Sequence, residues 1–474
     1  MSSETNTKAV KAGAGYVIGN YLLKGITFLT VPVFSRLLTE AQYGVFSYYV
    51  TCEMMFYMIL GITLHTSINS AQIKFKEKLD EYVSSIVALI LLSAGIWMVL
   101  GNAFFDLYAK LLGFDRVVVN ILIIHCTGSA LLQVYNTYVS LSYKYIEYMK
   151  VCAFNAISNL VLSVILIVTL FNETRLMGRI LGNALPIIVI GGYIVTYFFR
   201  KAKPVLKRDY WGYGLNYSVP TVPHGVSQVM LSTFDVVMIK NMVGDDANGS
   251  YGVAFNISAL FKVVVTSLEN IWKTWVFDRM EAKAYQEIRE AGSKFTFGMT
   301  LFTGLVCLAA PEIVMVMADK DFWDASYCVA PIIVGAFFAF LFTLPAQIEY
   351  YYEKTKAVAV ATMAAALVNV VLNWYGINKY GYVAAAYTTL ITYFLLFLFH
   401  YVIAWVIHGK AIFDTLRIAE YSMLALVFGA MGIGFKEQWY IRWPIVILLG
   451  FFSLYWAEKN FKVISLVKKK VLKK

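Results

Sequence analysis

Charge is scarce in this sequence. Only 15% of its 474 residues are Asp, Glu, Lys or Arg, where a water-soluble domain carries about 25%. A soluble fold of this length would lack the polar surface to cover itself, so the composition points to lipid as the solvent. Cysteine is sparse and unpatterned. Cys52, Cys126, Cys152, Cys307 and Cys328 form no CxxC and lie mostly in apolar stretches, which excludes a disulfide framework and a thiolate metal site. No P-loop is present, which argues against an ATP-driven pump. Long polar connections are missing too. The larger ones, near 104–116, 200–210 and 276–294, leave no room for a soluble catalytic domain. No cleavable signal peptide is expected, because the first apolar stretch is longer than a signal core.

Apolar and aromatic residues are abundant: 59% of the chain is hydrophobic, with 33 Phe, 33 Tyr and 10 Trp, and mean hydropathy is +0.66. A spanning helix needs about 20 mostly apolar residues. Fourteen stretches qualify: 13–34, 43–70, 82–104, 117–142, 148–171, 178–199, 211–240, 250–275, 295–317, 327–350, 357–376, 382–407, 418–435 and 441–457. The last two are short, and without them the count is twelve. Net charge is +11, and the Lys and Arg residues cluster in alternate connections, as in Lys74/Lys76/Lys78 and Arg200/Lys201/Lys203/Lys207/Arg208. That bias sets orientation and does not call for nucleic acid. It predicts a multi-pass protein with both termini in the cytoplasm. The basic tail Lys459–Lys474 either lies on an anionic leaflet or is a solvated topogenic tail.

Tyr43-Gly44-Val45 reappears as Tyr251-Gly252-Val253, six spans later. An even separation makes a parallel repeat, with a substrate path expected between two lobes. The expected organisation is an N-lobe at 1–200, a basic loop at 201–210, a C-lobe at 211–408 and two extra helices with the tail at 409–474.

Polar residues at helical spacing mark the first two spans of each expected lobe. They are Asn20, Lys24 and Thr27; then Ser47, Thr51, His65, Asn69 and Gln72. In the second lobe they are Tyr217, Thr221, His224, Gln228, Ser232 and Asp235; then Ser258, Lys262, Thr266, Glu269 and Lys273. For any single Ser or Thr the plain alternative is hydrogen bonding between helices. An amine at mid-depth is harder to explain that way, since insertion costs about 2.5–3.5 kcal/mol. Lys24 and Lys262 both sit near mid-span. Two ammonium groups across a dry cavity repel unless an anion lies between them, which favours a phosphate or diphosphate substrate. Arg36 is a second station for that group, or a solvated loop residue. Asn20, Thr27, Thr51, His65, Asn69, His224 and Gln228 are expected to line the cavity. Asp235, Glu269 and Glu53 are the candidates for coupling to H⁺ or Na⁺. Glu53 lies about 100° off its helix's stripe, so a structural partner for a nearby cation is its other reading. Pro220 and Pro223 mark a gate helix or a static kink.

Two stretches resemble the polysaccharide-transporter branch of the multidrug/oligosaccharidyl-lipid/polysaccharide exporter superfamily. One is Gly19–Ser47, an apolar helix followed by an Arg-Leu-Leu-x-x-x-x-Tyr-Gly turn. The other is Thr233–Ser258, with an Asp near the end of the seventh span and Tyr-Gly opening the eighth. The resemblance implies an all-α membrane protein of two six-helix lobes in a V, plus two C-terminal helices. It implies a flippase, not an enzyme, that moves undecaprenyl-diphosphate-linked oligosaccharide to the outer leaflet of a bacterial inner membrane. Lys24 and Lys262 would be its cavity cations, with an H⁺ or Na⁺ gradient as the drive and no cofactor. A polymerase and glycosyltransferases are its expected partners, besides membrane lipids. Lipid II flippases of this superfamily carry several Arg in the first two helices, and this chain has only Lys24 and Arg36 there. The rivals are that lipid II function, a multidrug cation exporter, and a membrane-embedded glycosyltransferase or polymerase.

Overall fold

The computed structural model describes residues 25, 28–141 and 144–461. Every regular element among them is helical. Eleven helices are long and apolar enough to cross a bilayer, and one bent pair adds a twelfth. The first of the fourteen expected spans lies mostly outside the described residues. The seventh is two helices where one kinked helix was expected, so twelve spans are accounted for. The chain divides into two compact units, Met1–Asn241 and Met242–Lys474.

The first unit contains α1 (Phe28–Leu37), α2 (Glu40–Leu60), α3 (Ile68–Lys74), α4 (Leu79–Ala103), α5 (Phe105–Leu112) and α6 (Arg116–Leu141). It continues with α7 (Tyr145–Thr169), α8 (Arg175–Lys201), α9 (Arg208–Ser218) and α10 (Thr221–Met242). A capping box starts α2: the Thr39 hydroxyl accepts from the Gln42 amide, and the Gln42 side chain accepts from the Thr39 amide. Tyr82, Ile86, Val134, Ile194 and Phe198 form the centre of the core where α4, α6 and α8 meet. Gly182 lets α8 lie directly against Ser163 of α7, where a Cβ would overlap the Ser163 backbone.

Helices α9 and α10, expected to open the second lobe, fall in this first unit. The buried Tyr210 ring belongs to the same core, and Trp211 donates to the Ser85 carbonyl at 3.1 Å.

The second unit contains α11 (Asp245–Glu281), α12 (Tyr285–Met317), α13 (Ser326–Tyr351) and α14 (Thr355–Tyr380). It ends with α15 (Val383–His408), α16 (Thr415–Gly434) and α17 (Trp439–Phe461). Helix α13 is its axis. Its unbroken buried run Cys328–Phe338 has no polar face, which fits a helix surrounded by others. Helix α17 is the opposite case, with Leu448, Phe451 and Leu454 exposed. Trp439, Tyr440 and Trp443 sit at one end of it and Tyr455 and Trp456 at the other, as at the two interfaces of a bilayer. Arg442 anchors it. That side chain is 1% exposed and forms two hydrogen bonds to the Glu312 carboxylate, at 2.7 and 2.6 Å. It also donates to the carbonyls of Leu308, Phe435 and Lys436.

Candidate functional site

The first unit is distinguished by two interrupted helices that meet at their breaks. Helices α2 and α3 are bent by 52° across residues 61–63 and a short 3₁₀ turn, Leu64–Ser67. Ile62 and Thr63 take φ of 51° and 43° there. The left-handed region is an outlier for β-branched residues and costs about 1–3 kcal/mol at each, so it persists only where surroundings enforce it. Gly61 supplies one constraint, lying so close to α6 that a Cβ would stand 2.6 Å from the Ala130 Cβ.

The second break separates α9 from α10 at Val219 and Pro220. Pro220 has no amide to continue the helix. Pro223 falls in the first turn of α10, where helix amides lack an intrahelical acceptor anyway, so it removes no bond. Hydroxyl groups join the breaks. Thr63 Oγ1 donates to the Ser218 carbonyl at 3.1 Å and lies 2.7 Å from Thr221 Oγ1. Thr221 Oγ1 donates to the same carbonyl at 2.7 Å. The Ser218 carbonyl freed by the second interruption thus finds a partner in a side chain of the first, which is how a bilayer tolerates broken helices.

Polar side chains are displayed beside these breaks. Asn69, His224 and Gln228 are exposed and His65 is half-buried. At the far end of α3, a cavity of 680 Å³ is lined by Lys74, Phe75, Arg208, Asp209, Tyr213 and Asn216. Lys74 Nζ lies 4.3 Å above the Tyr213 ring there.

Other expected site residues of this unit lie in different surroundings. Thr51 is buried and donates to the Ser47 carbonyl of its own helix at 3.0 Å. Glu53 is hydrogen-bonded to Ser129 of α6. Asp235 is 2% exposed. Arg36 is exposed and donates to the Pro32 carbonyl at 2.7 Å. Asn20, Lys24 and Thr27 lie outside the described residues.

In the second unit, Lys262, Thr266, Glu269 and Lys273 share one face of α11. Lys262 and Glu269 are half-buried, while Thr266 and Lys273 are exposed. Lys262 Nζ rests 3.8 Å from the Phe255 ring centroid, a cation–π contact on the preceding turns. Ser258, the stripe's first expected member, is buried and donates to the Ala254 carbonyl. Helices α14 and α15 add a buried amide–hydroxyl ladder: Asn369 donates to Thr389 and Thr392 at 3.3 Å each, Asn373 donates to Asn369 at 3.1 Å, and Thr388 bonds Asn373.

The sequence reading missed three buried charged sites. Arg179 of α8 is 6% exposed and lies between the rings of Phe34 and Phe46, at 3.8 and 4.0 Å. It donates to Asn159 and Ser163, and no carboxylate partners it among the described residues. A cation second in from the start of an apolar span (178–199) was the available signal. The second site is the Arg442–Glu312 pair. The third joins Glu349, visible as an isolated acid in an apolar span, to His400, 51 residues later. Among the described residues no cluster of His, Cys, Asp or Glu is placed to hold a metal ion.

The sequence model of the polysaccharide biosynthesis protein family matches residues 10–269, and that of the MatE family matches residues 220–375. An Lsg locus protein of Haemophilus influenzae is 20% identical over 385 residues, covering 77% of this chain and 90% of that protein. The fold is similar to that of the lipid II flippase MurJ in an inward closed conformation. That match has a TM-score of 0.73 at 15% identity and covers 95% of this chain and 99% of the other. It is also similar to an inward-facing multidrug resistance MATE transporter of the MOP superfamily, with a TM-score of 0.63 at 14% identity over 85% of this chain and 95% of the other.

Proposed function

Because the chain belongs to the polysaccharide biosynthesis protein family, we propose that it is a flippase for undecaprenyl-diphosphate-linked oligosaccharide repeat units. It carries them from the cytoplasmic to the outer leaflet of a bacterial plasma membrane by alternating access, driven by an H⁺ or Na⁺ gradient. Both termini lie in the cytoplasm, and the polymerase and glycosyltransferases of the same pathway are its working partners.

The observation that carries this reading is Lys262, an amine on a membrane-spanning helix whose face also displays Thr266, Glu269 and Lys273. An amine at that depth is held by water, an anion or protein partners, and a diphosphate accepts several charge-assisted hydrogen bonds. Lys24 is the matching amine in the first lobe, and Arg36 an outer station. His65, Asn69, His224 and Gln228 supply hydrogen bonds for sugar hydroxyls. Asp235 and Glu269 are the coupling acids. The cavity with Lys74, Arg208, Phe75 and Tyr213 pairs cations with aromatic faces, a lining suited to receiving a charged sugar headgroup. A fold shared with a lipid II flippase supports a lipid-linked cargo.

The second reading, a multidrug cation exporter, draws on the match to the MatE family. A lysine facing the path disfavours cationic cargo.

The test is surface polysaccharide in cells carrying Lys24→Ala or Lys262→Ala at normal membrane levels of the protein. Each variant is expected to lose the polymer. Wild-type polymer from both removes the anion-binding role.

A further inference from the structure

Glu349 sits near the end of α13 and His400 in the second half of α15. Both are fully buried, at 0% exposure, and His400 Nδ1 lies 2.6 Å from Glu349 Oε1. The other polar atom of each group, Glu349 Oε2 and His400 Nε2, is buried without a hydrogen-bond partner. The surroundings are apolar: Phe342 stacks on the imidazole at 5.5 Å and Phe399 meets it edge-on at 5.8 Å. Pro345, one turn before Glu349, gives α13 no amide at that point.

We propose that Glu349 and His400 together form a proton-binding site inside the second unit that exchanges its proton with water when the site opens and holds it while the site is closed. The argument is one of charge. A contact of 2.6 Å between carboxylate oxygen and imidazole nitrogen holds one proton between them. With only that proton, the pair is an anion whose Oε2 and Nε2 lone pairs face hydrocarbon, and a bare charge there is strongly disfavoured. A second proton, arriving from water at Nε2 or Oε2, makes the pair neutral overall. Its release returns the same proton to water, so nothing else is consumed. A purely structural pair would be better served by apolar groups of equal volume, and it would not leave one atom of each partner unsatisfied.

No neighbouring charge fixes the pair's state. On α11 the charged groups are Glu269 and Lys273, and Tyr350 of α13 is within electrostatic reach of both Glu269 and Glu349. Lys354 reaches Glu349 only through backbone, its amide donating to the Glu349 carbonyl at 2.9 Å, and Lys356 follows in the first turn of α14. On α12, Arg289 donates to the Ala411 carbonyl. Before and on α16, Asp414 and Arg417 pair with each other, and Tyr401 of α15 bonds Thr415. Among the described residues, none of these side chains hydrogen-bonds to Glu349 or His400.

That the proton drives transport rests on the flippase reading; that it binds here does not. The experiment therefore has two arms on the full chain in nanodiscs and proteoliposomes. Infrared difference spectra across a pH titration are expected to show a protonated carboxyl band in the wild type that is absent in Glu349→Gln. Proton uptake should fall by about one per chain in that variant. The double variant Glu349→Met/His400→Phe keeps the volume and covers the case in which the single variant misfolds; it too should lose that uptake. Identical titrations in wild type and either variant overturn the site. In the second arm, flipping of a fluorescent lipid-diphosphate glycan is measured with and without a pH gradient. Stimulation by the gradient should vanish in Glu349→Gln while gradient-free exchange persists. Undiminished stimulation overturns the coupling role. Absence of flipping by the wild type counts against the flippase itself and leaves the infrared result to decide the proton site.

Discussion

The two units handle polarity inside a membrane in opposite ways. In the first, backbone is interrupted at 61–63 and 219–220, and weak hydroxyl bonds among Thr63, Ser218 and Thr221 close the gaps. Polar side chains such as Asn69, His224 and Gln228 stand exposed beside them. In the second, helices run on even through Pro311, Pro331 and Pro345, and charge is locked in place as Arg442–Glu312. Bonds worth a kcal/mol or less open and close easily; buried ion pairs do not. The first unit's breaks are closed by weak hydroxyl bonds, whereas the second unit's last helix is anchored by a charged pair.

The sharpest way to break that contrast is at Arg442. Arg442→Ala leaves the Glu312 carboxylate and three carbonyls without their donor, and losing one partner of a buried pair costs about 3–5 kcal/mol. The thermal midpoint in detergent should fall far more than for any hydroxyl deletion in the first unit. The double change Arg442→Met/Glu312→Met should recover most of the loss. A small effect from Arg442→Ala would mean that the pair is not what holds α17.

Gly61 gives the next largest effect and tests the close approach of α2 to α6 in the first unit. A side chain there meets the Ala130 Cβ at 2.6 Å and the Tyr57 carbonyl at 2.8 Å. Gly61→Val should destabilise by about 1–3 kcal/mol through overpacking, read by the same midpoint. Ala130→Gly in the same chain should restore part of it. If Gly61→Val were neutral, the break at 61–63 would not depend on the close approach of α6.

Most helices were legible because membrane crossing imposes length, and length and apolarity are written directly in sequence. The break after Leu60 was not, since Gly61-Ile62-Thr63-Leu64 reads as apolar continuation and its cause lies across the unit in Ala130. The interruption before α10 was half legible: Pro220 announced it, but which unit the two halves join is decided by Tyr210 and Trp211 packing on α4. Polar spacing marked faces on which Thr266, His224 and Gln228 are exposed and Lys262 is half-buried. Thr51 and Ser258 turn their hydroxyls back on their own helix carbonyls, as Ser and Thr do, and spacing alone does not distinguish such residues. Glu349 stood out alone, but His400 is distant in sequence, and pattern alone does not pair residues across helices.

A smaller effect concerns the hydroxyl join itself. Thr63→Val removes the bond to the Ser218 carbonyl and the contact with Thr221, each worth about 0.6 kcal/mol between membrane helices. The midpoint should barely move, but amide exchange at 61–66 and 218–222 should quicken, because the hydroxyl link between the two breaks is gone. Unchanged exchange would show that the breaks are held by packing, and the contrast between the units would weaken.

The least effect is expected from the first unit's exposed charges. Lys207 donates to Glu81 at 3.2 Å, and that hydrogen bond holds the Lys207 ammonium above its ordinary range. A raised lysine favours the folded state at any pH below its unfolded value, about 10.4, and the benefit disappears as pH climbs through the folded value beyond it. Between neutral pH and mild alkali the contribution is therefore constant, and solvent screens it because both groups are exposed. Lys207→Gln should leave the midpoint unchanged at low salt and high salt alike. A marked, salt-sensitive loss would place a real electrostatic clamp between α4 and the segment before α9. The first unit would then be held by charge as the second is, and its breaks would no longer be its most labile points.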